Sequence, residues 1–191
     1  MNPTENVWTA SGRQIDPENP DPSQIDLQDI AISLAKQCRF TGHCKGFYSV
    51  AGHSLNMLWV LQKMKPLFVE AQRWALLHDG AETYMNDLNK PTKDKISVRY
   101  KRFEGYCLHA IASRFGLIKW RPHIYPDIVR VLDSQMLCTE IHILMPEALH
   151  EHYSGGRLPS ELEVGLRFNE PDHDAIAEEF IIEAMALGLD V

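Results

Sequence analysis

The segment "ALLHDGAETYMNDLNKPTK", Ala75 to Lys93, closes an apolar helical pattern with a histidine and an aspartate side by side, His78 and Asp79, then sets down carboxylates at Glu82 and Asp87. Two more ionisable residues fall on apolar stripes elsewhere. His53 is in line with Met57, Val60, Leu61 and Met64, and Asp133 with Val129, Leu132, Met136 and Leu137. A carboxylate taken out of water without a partner is costly, so these groups must meet something that offsets desolvation. A divalent metal ion does so. Two neutral imidazoles and two carboxylates form a mixed nitrogen and oxygen set, suited to zinc, cobalt, manganese, iron or nickel. His53, His78, Asp79 and Asp133 are the candidate ligands, and each taken alone also reads as a satisfied polar residue of the core.

For those residues to meet, helices must carry them. Asp26 reads as the cap of a helix with Asp29 at its third position and Leu27, Ile30, Ala31, Leu34 and Cys38 as its stripe, ending near "RFTGH". Ser49 reads as the cap of the helix bearing His53. Pro66 opens a third, with Phe68, Ala71, Trp74 and Ala75 leading to His78. Residues 80–93 read as a loop, and a longer helix runs from Asp94 to Gly116. Pro126 begins the helix of Asp133, and a last one starts near Ala175. The first 25 residues, rich in Pro, Asp and Asn, read as an extended arm over the surface or a neighbouring subunit. Residues 146–174 read as an irregular excursion with at most short helices, in which His150 and His152 are solvated. No run alternates like a strand. The expectation is one all-α domain spanning residues 1–191.

Composition narrows the function. Hydrophobic residues are 45% and charged residues 24%, ordinary for a folded domain. With 19 basic against 26 acidic residues the net charge is −7, so no global field gathers duplex nucleic acid, although a small phosphorylated ligand needs only local cations. No run approaches the roughly 20 apolar residues of a membrane span, and the first residues lack a basic then apolar leader. Cys38, Cys44, Cys107 and Cys138 form no CxxC pair and read as reduced thiols without assigned function. These features predict a soluble, cytoplasmic protein.

The blocks "RFTGH", "FYSVAGHS", "LLHDGAETYMNDLNKPTK" and "VLDSQ" resemble those of HD-domain phosphohydrolases, in particular bacterial 5′-deoxynucleotidases and, more closely, phage dATP triphosphohydrolases. The similarity covers about residues 26 to 140. It implies an HD-domain helical bundle, with His53, His78, Asp79 and Asp133 on the metal. Glu82, one helical turn past His78, would orient or deprotonate the attacking water, and Asp87 would lie near the leaving 5′ oxygen. Arg39, Lys93 and Arg130 would hold phosphates. Phe40, where 5′-deoxynucleotidases carry tryptophan, or Tyr84 would stack on the base. The implied reaction is hydrolysis of dATP to deoxyadenosine and triphosphate, clearing dATP where phage DNA carries 2-aminoadenine. Alternatives are a 5′-deoxynucleotidase acting on monophosphates and a catalytically silent nucleotide-binding module. The resemblance also implies a homo-oligomer, dimer or hexamer.

Overall fold

The computed structural model describes residues 6–93, 95–96, 98–120, 123–170 and 172–189. It is all-α apart from one small hairpin. Helix α1 (Leu27–Lys36) starts where Asp26 accepts the backbone N–H groups of Gln28 and Asp29, and it buries Ile30, Ala31, Leu34 and Ala35. Helix α2 (Val50–Met64) starts at Ser49, whose hydroxyl accepts the Gly52 N–H at 2.9 Å. Both caps stand where the sequence placed them.

Helix α2 is the centre of the packing and touches α1, α3 (Val69–Leu77), α7 (Asp127–Leu144) and α9 (His173–Ala186). A buried carboxylate reinforces its start. Glu170, brought back by the segment before α9, accepts both the N–H of Ser49 at 2.9 Å and its hydroxyl at 2.5 Å. That carboxylate lies where a side chain on Gly52 would go: a Cβ there would sit 1.5 Å from Glu170 Oε1.

Three sequence readings need correction. Pro66 does not open a helix: Phe68 N–H bonds the Lys65 carbonyl in a turn, and α3 begins at Val69. Residues 80–93 are no plain loop, since α4 (Glu82–Met85) and α5 (Lys90–Lys93) form within them. The N-terminal arm is folded down, with strands β1 (Val7–Trp8) and β2 (Gln14–Ile15) paired antiparallel and Ile15 and Ile25 in the core. Asp94, the expected start of the next helix, lies outside the described residues, and α6 runs Val98–Arg114 before Gly116 turns the chain at φ +60°. The excursion holds short turns and α8 (Ser160–Glu163). There His150 is half-buried, its ring stacked on His142 with centroids 4.6 Å apart. Among the described residues no helix is long and apolar enough to cross a membrane.

Candidate metal centre

His53 stands one turn into α2, fully buried, and His78 ends α3, so the packing of α2 on α3 sets the two rings 5.3 Å apart. Helix α7 crosses both and brings Asp133. One ligand atom from each of His53, His78 and Asp133 lies within 4.8 Å of the others. Asp79 adjoins them, its Oδ2 being 3.3 Å from His78 Nε2 and 3.9 Å from His53 Nε2. The four predicted ligands are thus gathered.

The outer nitrogens of the two rings are spoken for. His53 Nδ1 meets Glu140 Oε1 at 2.6 Å, and His78 Nδ1 meets the Ala75 carbonyl at 2.9 Å. A carbonyl and an ionised carboxylate only accept, so each Nδ1 carries the proton and each Nε2 faces the cluster. Both Nε2 atoms are buried without a hydrogen-bond partner among the described residues. Once His53 gives up its second proton, two buried nitrogens turned toward one another and toward carboxylates fit a divalent ion, and no thiol competes at this point.

The electrostatics agree. Burial opposes charge on Asp79 and Asp133, yet His78, His53 and Arg39 hold Asp79 well below the usual carboxylate range, and His53 and His78 hold Asp133 low. Burial and Arg39 resist a proton on His53, but Glu140 and Asp133 outweigh them and push its ring up to about 9.

No family model matches the chain. It is 34% identical over 134 residues to YfdR, an uncharacterized protein of Escherichia coli, a match covering 70% of this chain and 69% of that relative. The chain belongs to the YfdR family. An uncharacterized protein of Rhodobacter capsulatus is 38% identical over 129 residues, covering 65% of each chain.

Beside the cluster, Glu82 heads α4, buried, with Oε1 2.8 Å from Lys93 Nζ and Oε2 without a hydrogen-bond partner among the described residues. Burial, then Asp79 and Asp87, push this carboxyl up to about 9 against the pull of Lys93. Burial, then Asp79, also raises Asp87, which Arg39, Lys93 and His53 oppose. Gln37 ties the two acids together. Its Nε2 donates to the Glu82 carbonyl at 3.1 Å and its Oε1 accepts the Asp87 N–H at 2.9 Å.

The predicted substrate residues divide. Arg39 is buried at the cluster: Nε and Nη2 donate to Glu140 Oε2 at 3.2 and 3.0 Å, while Nη1 is 3.6 Å from Asp79. Phe40 follows it, half-buried, at φ +56°, with Thr41 also left-handed at φ +55°. Such conformations cost side-chain-bearing residues of order 1–3 kcal/mol each. Lys93 is paired with Glu82 and, at 3.4 Å, with Glu104. Arg130 is paired with Asp127 on the exposed side of α7. Tyr84 is a correction. It lies in the core, facing Cys107 and Asp29, because two residues along a helix turn a side chain about 200° away from Glu82.

Glu140, Tyr48, Gln37, Glu104 and Tyr125 escaped the sequence reading. Glu140 is fully buried and also accepts the Tyr48 hydroxyl at 2.7 Å. Its signal was present, since it stands seven residues after Asp133 and so on the same helical face. The Tyr125 ring lies edge-on to His78 with centroids 6.2 Å apart, and Asp79 and Asp133 join burial in raising its hydroxyl.

Proposed function

We propose that the chain is a metal-dependent phosphohydrolase of the HD type that cleaves the 5′ phosphate ester of deoxynucleotides. The observation that carries this reading is the gathering of two Nε2 atoms and the Asp133 carboxylate within 4.8 Å, beside a buried acid with one oxygen to spare. His53, His78, Asp79 and Asp133 would hold a first-row divalent ion. Bound there, the ion supplies positive charge that polarises the phosphate and steadies the charge developing on its oxygens.

The remaining work falls to the chain's own groups. Glu82, in the ionised form that the Lys93 ammonium at Oε1 favours against burial and that a bound cation would favour further, accepts the proton of the attacking water at Oε2. Asp87, raised by burial, returns a proton to the departing 5′ oxygen. Arg39 Nη1 is the end of that guanidinium that faces the substrate, and Phe40 at the turn supplies a ring for the base.

Ion pairing favours a short phosphate tail. Arg39 is committed to Glu140 and Asp79, Lys93 to Glu82 and Glu104, and Arg130 to Asp127. A triphosphate brings about two more negative charges than a monophosphate and needs cations not already matched to acids. The reading is therefore a deoxynucleoside monophosphatase. The closer resemblance of residues 39–93 to phage triphosphohydrolases favours dATP as a second reading.

One assay separates the readings. The chain is incubated with dAMP, dATP, dGTP and 2-amino-dATP, with manganese or cobalt, and the phosphate products are resolved. We expect dAMP to yield deoxyadenosine and phosphate. Triphosphate from dATP, with dAMP untouched, would move the reading to the triphosphohydrolase. Nucleotide binding without any cleavage would make the chain a silent binding module.

A further inference from the structure

The turn that presents Arg39 also brings two thiols into contact. Cys38 Sγ and Cys44 Sγ are 3.7 Å apart, at the two ends of the turn. We propose that this pair is a reversible oxidation site, closing to an intramolecular disulfide on reaction with a hydroperoxide. The inference does not depend on the phosphohydrolase reading.

The backbone fixes both ends of the pair. Cys38 is bridged antiparallel to Ser49, the Arg39 N–H bonds the Tyr48 carbonyl at 2.9 Å, and the Lys45 N–H bonds the Leu144 carbonyl at 2.9 Å. Between those anchors, Phe40, Thr41 and Gly42 are left-handed in succession, at φ +56°, +55° and +77°, and this reversal returns Cys44 to Cys38. From 3.7 Å, a bond of about 2.0 Å asks the sulfurs to approach by about 1.7 Å, a shift for side-chain rotation and the tip of the turn. The tip can supply it, because Thr41, Gly42 and His43 are exposed. Both cysteines are half-buried, so a small oxidant reaches them without unfolding, whereas Cys107 is buried.

The order of events follows from the surroundings. Burial, then the contact with Cys38, pushes the Cys44 thiol up to about 11, so at neutral pH it keeps its proton and serves as the second sulfur. The Cys38 thiolate attacks one peroxide oxygen; the O–O bond breaks, and the departing hydroxide takes a proton to become water. Cys38 is now a sulfenic acid. The Cys44 sulfur then attacks the Cys38 sulfur, the S–S bond forms, the S–O bond breaks, and hydroxide leaves with the Cys44 proton as a second water. Two thiols are oxidised and one peroxide is reduced to two waters. A dithiol reductant reverses the closure by exchange. Closure also removes the Cys44 S–H that now donates to the Arg39 carbonyl at 3.6 Å, so oxidation is felt at the residue that joins Glu140 to Asp79.

The test treats the whole chain with hydrogen peroxide, alkylates remaining thiols with iodoacetamide and digests with trypsin, which cuts after Arg39 and leaves the two cysteines on separate peptides. The expected product is those two peptides joined by a disulfide, with alkylation lost at Cys38 and Cys44 together and restored by dithiothreitol. In Cys38→Ser, Cys44 should stay alkylatable after the same treatment. In Cys44→Ser, Cys38 should be trapped as a dimedone-reactive sulfenic acid. Over-oxidised Cys38 without the joined peptides, Cys138 consumed as fast as the pair, or Cys44 oxidised equally in Cys38→Ser would each overturn the proposal.

Discussion

The Glu140 carboxylate takes the Nδ1–H of His53 at 2.6 Å, two turns along α7 from the Asp133 that faces the same ring's Nε2 at 3.3 Å. One helix thus grips the imidazole on both edges. Arg39 and Tyr48 hold the carboxylate in turn, so the direction of Nε2 is set by a closed set of bonds rather than by packing alone.

Glu140→Gln should fold, keep a bond to the ring, and bind manganese or cobalt about 10–100-fold more weakly, the usual scale for a group that orients a metal-bound histidine. Glu140→Ala removes the buried carboxylate that pairs Arg39 and His53, leaving only Asp79 and Asp133 near them, and should cost roughly 3–5 kcal/mol of stability. Titration calorimetry and denaturant melts of the two variants check this. Unchanged affinity in Glu140→Gln would mean that the ring is held by its packing.

Ion binding should depend on pH in a definite direction. In the ion-free chain His53 titrates at about 9, so below that pH an incoming ion must displace its proton. Affinity should therefore rise with pH, by about tenfold per unit for one displaced proton, and level off above pH 9. Calorimetry in buffers of different ionisation enthalpy counts the protons released.

Glu82→Ala should bind the ion as the native chain does and lose roughly 10²–10⁴-fold in turnover, the scale of one positioned base. Asp79→Ala should lose ion and turnover together. Metal analysis beside initial rates separates the two, and a fully active Glu82→Ala would remove the acid from the proposed reaction.

Gly52→Ala should destabilise the chain by roughly 1–3 kcal/mol, because its methyl group displaces the buried Glu170 carboxylate from Ser49. With Glu170→Ala already in place, the same substitution should cost much less. Equal costs in both backgrounds, measured by urea melts, would place the strain elsewhere.

What could be read in the sequence was whatever is local. The caps at Asp26 and Ser49 combine a short polar side chain with the stripe that follows, and His53, His78 and Asp133 betray themselves as ionisable groups on apolar faces. Glu140 carries the same signal as Asp133, one heptad further along a stripe whose apolar residues Val129, Leu132, Met136 and Leu137 stop short of it. Tyr84 is legible only with the helical phase of α4, which a loop reading of residues 80–93 lacks and which alone separates it from Glu82. Strands of two residues, as in β1 and β2, carry no period to read. Glu170 lay beyond reach: nothing near it in the chain says that it caps a helix that starts 120 residues earlier.

That distance bears on how the protein comes into being. The carboxylate that braces the start of α2 is separated from Ser49 by 121 positions, so while those residues are being made the helix bearing His53 has only its Ser49 cap at that end. The brace is a late addition to the fold. A nascent chain halted before residue 170 would hold all four ion ligands and lack the brace under one of them, so competence to capture metal should come with completion of the fold rather than with synthesis of the ligands.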